Sequence, residues 1–135
     1  MKGNFSFIKK VDLMQVGFNE NTASEVIRCV KRQLAQEGLM FYDNPRTDCV
    51  LTDRVIEFLL GVPGNEEAYQ NPIKFLTNEL VHRDELIAWG IPKAVASELI
   101  KEAQQIMAMD GYIFYQNTRR WFAPSRLIKQ LLGGK

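Results

Sequence analysis

A pair of polar residues, an asparagine and an arginine, occurs twice in this chain, and both residue types can contact nucleic acid. Asn44 and Arg46 follow an aromatic pair, and Asn117 and Arg119 repeat the arrangement 73 positions later. An arginine beside a turn can contact a DNA phosphate or enter a narrow minor groove. An asparagine in a turn commonly accepts a hydrogen bond from its own backbone. The arginines are therefore predicted to bind DNA, whereas the asparagines could either cap the turn or bind DNA, and capping is favoured.

A second candidate set follows the spacing of one helix face. Arg28, Lys31 and Arg32 stand at i, i+3 and i+4. One period later, a lysine and two glutamines take these positions: Lys101, Gln104 and Gln105. Basic side chains can contact phosphate or guanine, and glutamine can pair with adenine. A solvated basic stripe is the alternative, and charge alone leaves both open. In a DNA complex, the first copy should hold phosphate more strongly through this helix, and the second through its hairpin.

The complete set of predicted DNA-binding residues includes two further side chains near helix starts and a second arginine in the later turn. The set is Asn21, Arg28, Lys31, Arg32, Asn44, Arg46, Lys93, Lys101, Gln104, Gln105, Asn117, Arg119 and Arg120. Removing Arg46 and Arg119 together is expected to weaken binding and its salt dependence.

These residues recur because the chain contains one module twice. Residues 12–46 align without a gap to 85–119, and 49–61 align to 121–133, with 17 identities in 48 pairs. The period suits a small domain. The sequence predicts a first repeat at 1–61, a linker with a short helix at 62–80, and a second repeat at 81–135. Units this small bury little surface alone, so the repeats are expected to pack on each other.

The elements that must position the candidates can be read from apolar spacing. Each copy should contain a short helix (11–16, 84–89), a glycine turn, a long helix, a hairpin and a closing helix. Thr22 and Glu25 suggest a capping box at the long helix.

The aromatic segments 39–42 and 112–115 are predicted to be strands that pair with short strands at 49–51 and 121–123. Alternation along a strand would bury one residue of each aromatic pair. Trp89 and Trp121 are expected in the core or between the copies. The predicted class is mainly α with small β-hairpins, as two winged helix-turn-helix-like modules.

Other classes of function find little support in the sequence. The single histidine, His82, has no nucleophile or ligand set beside it, so neither an enzyme nor a metal or other cofactor is expected. Cys29 and Cys49 lack metal-ligand spacing and suggest reduced cytoplasmic thiols. No signal peptide or membrane-spanning run is found. The net charge of +1 is weak support for DNA binding, so that interpretation depends on local patches.

The order of elements resembles a winged helix-turn-helix of the excisionase and MerR-like kind. Each copy also resembles small uncharacterised proteins of phages and integrative elements of Gram-positive bacteria, through an acidic-Leu start, an Ala-Ser-Glu segment, a Phe-Tyr-x-Asn-x-Arg segment and a final Leu-Leu-Gly. The resemblance covers about three-quarters of the chain, and such proteins usually carry a single copy. It implies a non-enzymatic double-stranded DNA-binding protein, either an excisionase-like architectural factor or a transcriptional regulator.

Two alternatives stay open at this point. The protein could be an inhibitor or adaptor encoded by a mobile element that binds a host or replication protein, which the low net charge favours. An integrase or a host protein is a possible partner besides DNA. It could also bind single-stranded DNA by stacking bases on its aromatic hairpin residues.

Overall fold

The computed structural model describes residues 6–116 and 122–133, which form two similar, mainly helical modules. The first contains β1 (Phe7–Lys9), α1 (Lys10–Val16), α2 (Glu20–Gln36), the 3-10 helix η1 (Met40–Asp43), β2 (Cys49–Leu51) and α3 (Thr52–Leu60). Two short helices follow, α4 (Glu66–Gln70) and α5 (Pro72–Glu79). The second contains β3 (Leu80–His82), α6 (Arg83–Ala88), α7 (Lys93–Met109), the 3-10 helix η2 (Ile113–Gln116), β4 (Phe122–Pro124) and α8 (Ser125–Leu131). The predicted α+β class and the repeated modules are confirmed.

The chain divides into two compact units. The first comprises Met1–Phe58 and Val62–Thr77, and the second comprises Leu59–Gly61 and Asn78–Lys135. Of the helices in the described ranges, none has the length and apolar character needed to cross a membrane. The short helix predicted near Pro72 is present as α5.

The start of each module is built by the same local interactions. The backbone N–H of Lys9 donates to Asp12 Oδ2 at 2.9 Å, which closes the first turn of α1. The N–H of His82 donates in the same way to Glu85 Oε1 at 3.1 Å. A carboxylate here satisfies an unpaired helix donor and complements the helix dipole. An acidic residue at this position in both copies therefore has a structural role.

A glycine turn joins the short helix of each module to its long one. Gly17 and Gly90 have φ angles of 127° and 101°, which residues with a Cβ rarely adopt. The long α2 is capped by Asn19, which precedes its first residue and whose Oδ1 accepts the N–H of Thr22 at 2.8 Å. The predicted capping box at Thr22 is wrong because Thr22 already lies inside the helix.

The apolar faces of the two long helices are confirmed. The residues at the predicted core spacing are all buried: Ala23, Val26, Ile27, Val30 and Leu34 in α2, and Ala96, Leu99, Ile100, Ala103 and Met107 in α7. Such a stripe fixes the opposite face of each helix toward solvent. That outward face carries Arg28 and Arg32 in α2 and Lys101 and Gln105 in α7.

The two aromatic segments are 3-10 helices, so the strands predicted at 39–42 and 112–115 are wrong. The chain turns at the end of each long helix, and Tyr42 N–H then donates to Leu39 O at 3.0 Å. Tyr115 N–H donates equivalently to Tyr112 O at 3.1 Å. Aromatic side chains favour strands only where a sheet offers them a packing surface. Here they pack beside the long helix instead.

The small sheets pair segments that lie far apart in sequence. In the first module β1 runs antiparallel to β2, with Ile8 opposite Val50. In the second module β3 runs antiparallel to β4, with Val81 opposite Ala123. The β2 strand was predicted with its observed bounds, but its predicted partner was wrong. The loop with Asn44 and Arg46 therefore connects η1 to β2 and does not join two paired strands as a wing would.

Within the second unit, side chains bind three consecutive backbone carbonyls at 59–61. The end of a helix leaves such carbonyls without intrahelical partners. The donors are two tyrosine hydroxyls and one guanidinium: Tyr115 to Leu59 at 2.6 Å, Arg126 to Leu60 at 2.9 Å, and Tyr112 to Gly61 at 3.2 Å. The 59–61 segment is therefore an integral part of the second unit.

Candidate nucleic-acid interface

The outward face of α2 carries three basic side chains. Arg28 and Arg32 are exposed, and Lys31 is half-buried. None of the three forms an ion pair with another residue of the described ranges. Because no carboxylate of the part of the chain that the structure describes neutralises them, these side chains are available to a polyanion. We call Arg28, Lys31 and Arg32 the basic face.

Other cations of the first unit are already neutralised. Arg54 forms a two-point ion pair with Glu37, with Nη1 donating to Oε1 at 2.8 Å. Its hydrogen bonds hold the pKa of Glu37 below the ordinary carboxyl value, and they raise the pKa of Arg54. Lys10 Nζ lies 3.0 Å from Glu20 Oε2. These two ion pairs leave the basic face unpaired within the described ranges, together with the exposed Lys9, Arg46 and Lys74.

The equivalent face of α7 is amide-rich, and only part of it is accessible. Lys101 and Gln105 are exposed, as predicted for DNA-binding residues. Gln104 is only 3% exposed, and its Nε2 donates to the carbonyl of Phe122 at 3.0 Å. Its prediction as a base-reading residue is wrong because the amide ties α7 to β4 inside the module.

Replacing Gln104 with alanine is expected to destabilise the second unit by about 1–3 kcal/mol, since the buried carbonyl of Phe122 loses its donor. Gln105→Ala, next to it but exposed, should change stability by less than about 0.5 kcal/mol. Urea denaturation followed by tryptophan fluorescence measures both. An equal, small effect of the two substitutions would contradict the structural role of Gln104.

A cleft of about 570 Å³ runs beside the amide-rich face of the second unit. The described residues that line it are Lys101, Gln104, Gln105, Ala108, Tyr115 and Gln116, and all of them except Ala108 have side chains that can form hydrogen bonds. Gln116 lies at the end of η2 and is exposed, and it was not among the residues predicted from the sequence. Its signal was weak because Asp43 occupies the equivalent position of the first copy, so the residue type does not recur.

The loop after η1 holds the recurring asparagine and arginine. Asn44 Oδ1 accepts the backbone N–H of Arg46 at 2.9 Å, which confirms the favoured capping interpretation of this asparagine. Thr47 Oγ1 donates to the Phe41 carbonyl at 2.9 Å and closes the loop further. The Arg46 side chain is exposed and forms no ion pair within the described ranges. Asn44 therefore fixes the loop that presents Arg46.

The remaining predicted site residues either lie in the first turns of the long helices or fall outside the described residues. Asn21 and Lys93 are exposed in the first turns of α2 and α7. Asn117, Arg119 and Arg120 lie outside the described residues, as does Trp121. Lys93 takes the position of Glu20, and Arg83 takes that of Lys10. The ion pair of the first module is therefore replaced by two cations in the second.

The aromatic residues depart from the predicted alternation. In the first module Phe41 is 58% exposed and Tyr42 is buried, as expected, and this burial raises the pKa of Tyr42. In the second module Phe114 and Tyr115 are both buried, and the ring of Phe122 lies near both, with centroids 5.8 and 6.4 Å away. Trp89 is 57% exposed, so its predicted burial is wrong.

The residues that could bind metal are dispersed. Within the described ranges, no group of three or more His, Cys, Asp or Glu side chains could hold a metal ion. Cys29 and Cys49 are half-buried free thiols.

One protein family matches the chain in both modules. The model of the family described as a domain of unknown function, DUF3173, matches residues 6–63 and again residues 79–135. No curated protein and no solved structure matches the chain. The two matched ranges agree with the repeats in the sequence and with the similar order of elements in the two modules. The chain therefore belongs to the DUF3173 family and carries its domain twice in tandem.

Proposed function

We propose that this protein binds double-stranded DNA without catalysing a reaction. The observation that carries the proposal is the basic face: Arg28 and Arg32 are exposed, form no ion pair within the described ranges and are directed away from the core on the longer helix of a helix–turn–helix. This arrangement suits insertion of α2 into a major groove, where phosphates flank the base edges. The net charge of the whole chain is small, but the basic face gathers three cations on one helix, and none of them forms an ion pair within the described ranges.

The proposed biological role follows from the resemblance of the sequence to excisionase-like proteins. It is that of an architectural factor or transcriptional regulator of a phage or integrative element. Two modules in one chain would engage two sites without dimerisation, because the first contact raises the effective concentration of the second. An integrase is the protein partner that this role implies.

The test is binding of the full chain to random duplex DNA of about 30 base pairs, by fluorescence anisotropy at 50 and 200 mM salt. Binding should be micromolar or tighter at low salt and should weaken steeply as salt rises. The variant Arg28→Ala/Lys31→Ala/Arg32→Ala should bind at least ~10-fold more weakly, with a salt slope smaller by about 2–3.

A matched control removes the same charge from other elements. Lys9, Lys74 and Lys129 are exposed lysines of β1, α5 and α8. Their triple alanine variant should bind within about threefold of the unmodified protein, because a contribution from general charge is screened at these ionic strengths. Equal losses in the two variants, or no duplex binding at 50 mM salt, would reject the proposal.

A second candidate function is binding to another protein. Leu39, Met40 and Phe41 are consecutive and are 44%, 70% and 58% exposed. An apolar patch of this kind often marks an interaction surface. The test is recovery of a partner from lysate of the host by the unmodified protein and its loss with Met40→Ser/Phe41→Ser. Recovery of the same proteins by both would exclude the patch as the contact.

The single-stranded alternative is less well supported by the aromatic residues. Base stacking needs exposed rings, and Phe114 and Tyr115 of the second module are buried. Phe41 is the exposed member of the four. Competition between duplex and single-stranded DNA of equal length should favour the duplex.

A further inference from the structure

The two modules place different side chains at one equivalent, outward position. Arg32 of α2 aligns with Gln105 of α7, and both side chains are exposed. Neither takes part in an ion pair or a side-chain hydrogen bond within the described ranges. One turn earlier, Arg28 aligns with Lys101, so a cation is kept there. At the exposed position of Arg32 the side chain therefore changes from a guanidinium to an amide, while the cation one turn earlier is kept.

Arginine and glutamine recognise different bases in the major groove. The guanidinium fork donates two hydrogen bonds to O6 and N7 of guanine. The glutamine amide both donates and accepts, and so it matches N7 and the N6 amino group of adenine. A lysine or arginine next to either side chain can hold the neighbouring phosphate.

Gln105 stands on a surface held in place by buried hydrogen bonds. Its neighbour Gln104 is fixed to Phe122 O at 3.0 Å, and Tyr115 is fixed to Leu59 O at 2.6 Å. Both fixed side chains line the cleft into which Gln105 faces. A rigid support lowers the entropic cost of placing the amide against a base. Lys101 and Gln116, also on the cleft, can donate to the phosphates beside it.

We propose that the two modules read unlike half-sites, with Arg32 selecting guanine and Gln105 selecting adenine at the equivalent position. This inference rests on the proposed binding to double-stranded DNA and assigns its specificity. Gln116 acts with Lys101 as a backbone contact of the second half-site. The duplicated protein would then recognise an asymmetric DNA site, because the two copies carry different side chains, Arg32 and Gln105, at the position that selects the base.

Reciprocal exchange tests the assignment. Bound duplexes are selected from a randomised pool and sequenced for the full-length protein, for Arg32→Gln and for Gln105→Arg. The unmodified protein should select a composite site with one guanine-containing and one adenine-containing half. Arg32→Gln should convert the first preference to adenine and Gln105→Arg the second to guanine, each by about tenfold. Gln116→Ala should weaken binding to all selected sequences by a similar factor.

The outcomes separate this inference from the function on which it rests. Duplex binding with identical half-sites, or with preferences unchanged by both exchanges, would overturn the specificity assignment and leave DNA binding standing. Absence of duplex binding at low salt would overturn both. All three substitutions are at exposed helical positions, and circular dichroism of each variant should match that of the unmodified protein.

Discussion

Replacement of Gly61 by alanine is expected to lower the free energy of unfolding of the second unit by about 2–4 kcal/mol. Two costs add at this residue. Its φ of +76° lies in the left-handed region, which costs a residue with a Cβ about 1–2 kcal/mol. The new Cβ would also stand 2.9 Å from Arg126 Nη2 and 3.1 Å from Met107 Cε, and such crowding costs a further ~1–2 kcal/mol.

The crowding falls on a hydrogen bond. Arg126 Nη2 and Nε both donate to the carbonyl of Leu60, at 2.9 and 3.2 Å. To make room for a methyl group the guanidinium must move, and the Leu60 carbonyl then loses its donors. If this account holds, Arg126→Ala should absorb part of the cost, so the double variant should be less destabilised than the sum of the single variants.

The matched control for Gly61 is Gly111. Its φ is +96°, but nothing lies within 4 Å of its constructed Cβ, so alanine there carries the backbone cost alone. Gly111→Ala should therefore cost about 1–2 kcal/mol. Urea denaturation by tryptophan fluorescence is suitable, because both tryptophans of the chain belong to the range of the second unit. Equal losses for Gly61→Ala and Gly111→Ala would show that crowding at the 59–61 segment is unimportant.

The sequence was sufficient to predict the helices because their signals are local. The spacing of Ala23, Val26 and Val30 places apolar residues on one face, and the glycines at the helix ends mark where the chain must turn. The duplication strengthened these predictions, since the same pattern occurred twice. The observed α1 begins one residue before the predicted start and ends at the predicted residue.

The strand partners were beyond local inference. β2 pairs with β1, but α1, α2 and η1 lie between them in the sequence. The pairing therefore lacks the short turn between neighbouring strands by which a hairpin can be predicted from sequence. The run Phe7-Ile8-Lys9 and its counterpart Leu80-Val81-His82 carry a weak signal, an apolar residue at the central position of both copies. The aromatic segment that follows each long helix had the stronger β propensity, but its packing beside that helix determined its conformation.

The candidate site likewise contains features that the sequence could predict and features that arise only in the folded module. The exposure of Arg28 and Arg32 follows from helical periodicity, so the sequence could predict it. The burial of Gln104 could not be predicted, because a carbonyl of β4 satisfies its amide only in the folded module. The cleft and Gln116 likewise arise from the packing of η2 beside α7.

Leu86→Ala is expected to have the largest effect of any single substitution considered, a loss of about 2–5 kcal/mol in the stability of the second unit. Leu86 is fully buried, and its carbonyl accepts the N–H of Ile91 at 3.1 Å in the turn that leads to α7. Ile87→Ala is the control, since Ile87 is 38% exposed and its removal should cost about 1 kcal/mol or less. Tryptophan fluorescence in urea measures both variants.

Substitution of Leu86 also tests whether a loss of core packing changes DNA binding. Its side chain has no exposure through which to contact DNA, so Leu86→Ala, measured in the absence of denaturant while the unit remains folded, should retain the half-site preference of the second module. Gln105→Arg should do the reverse, changing the preference with little loss of stability. Leu13, equally buried at the matching position of the first unit, should repeat the stability result there. A change of the proposed half-site preference in folded Leu86→Ala protein would mean that Leu86 not only stabilises the second unit but also holds α7 in the position needed for base contact.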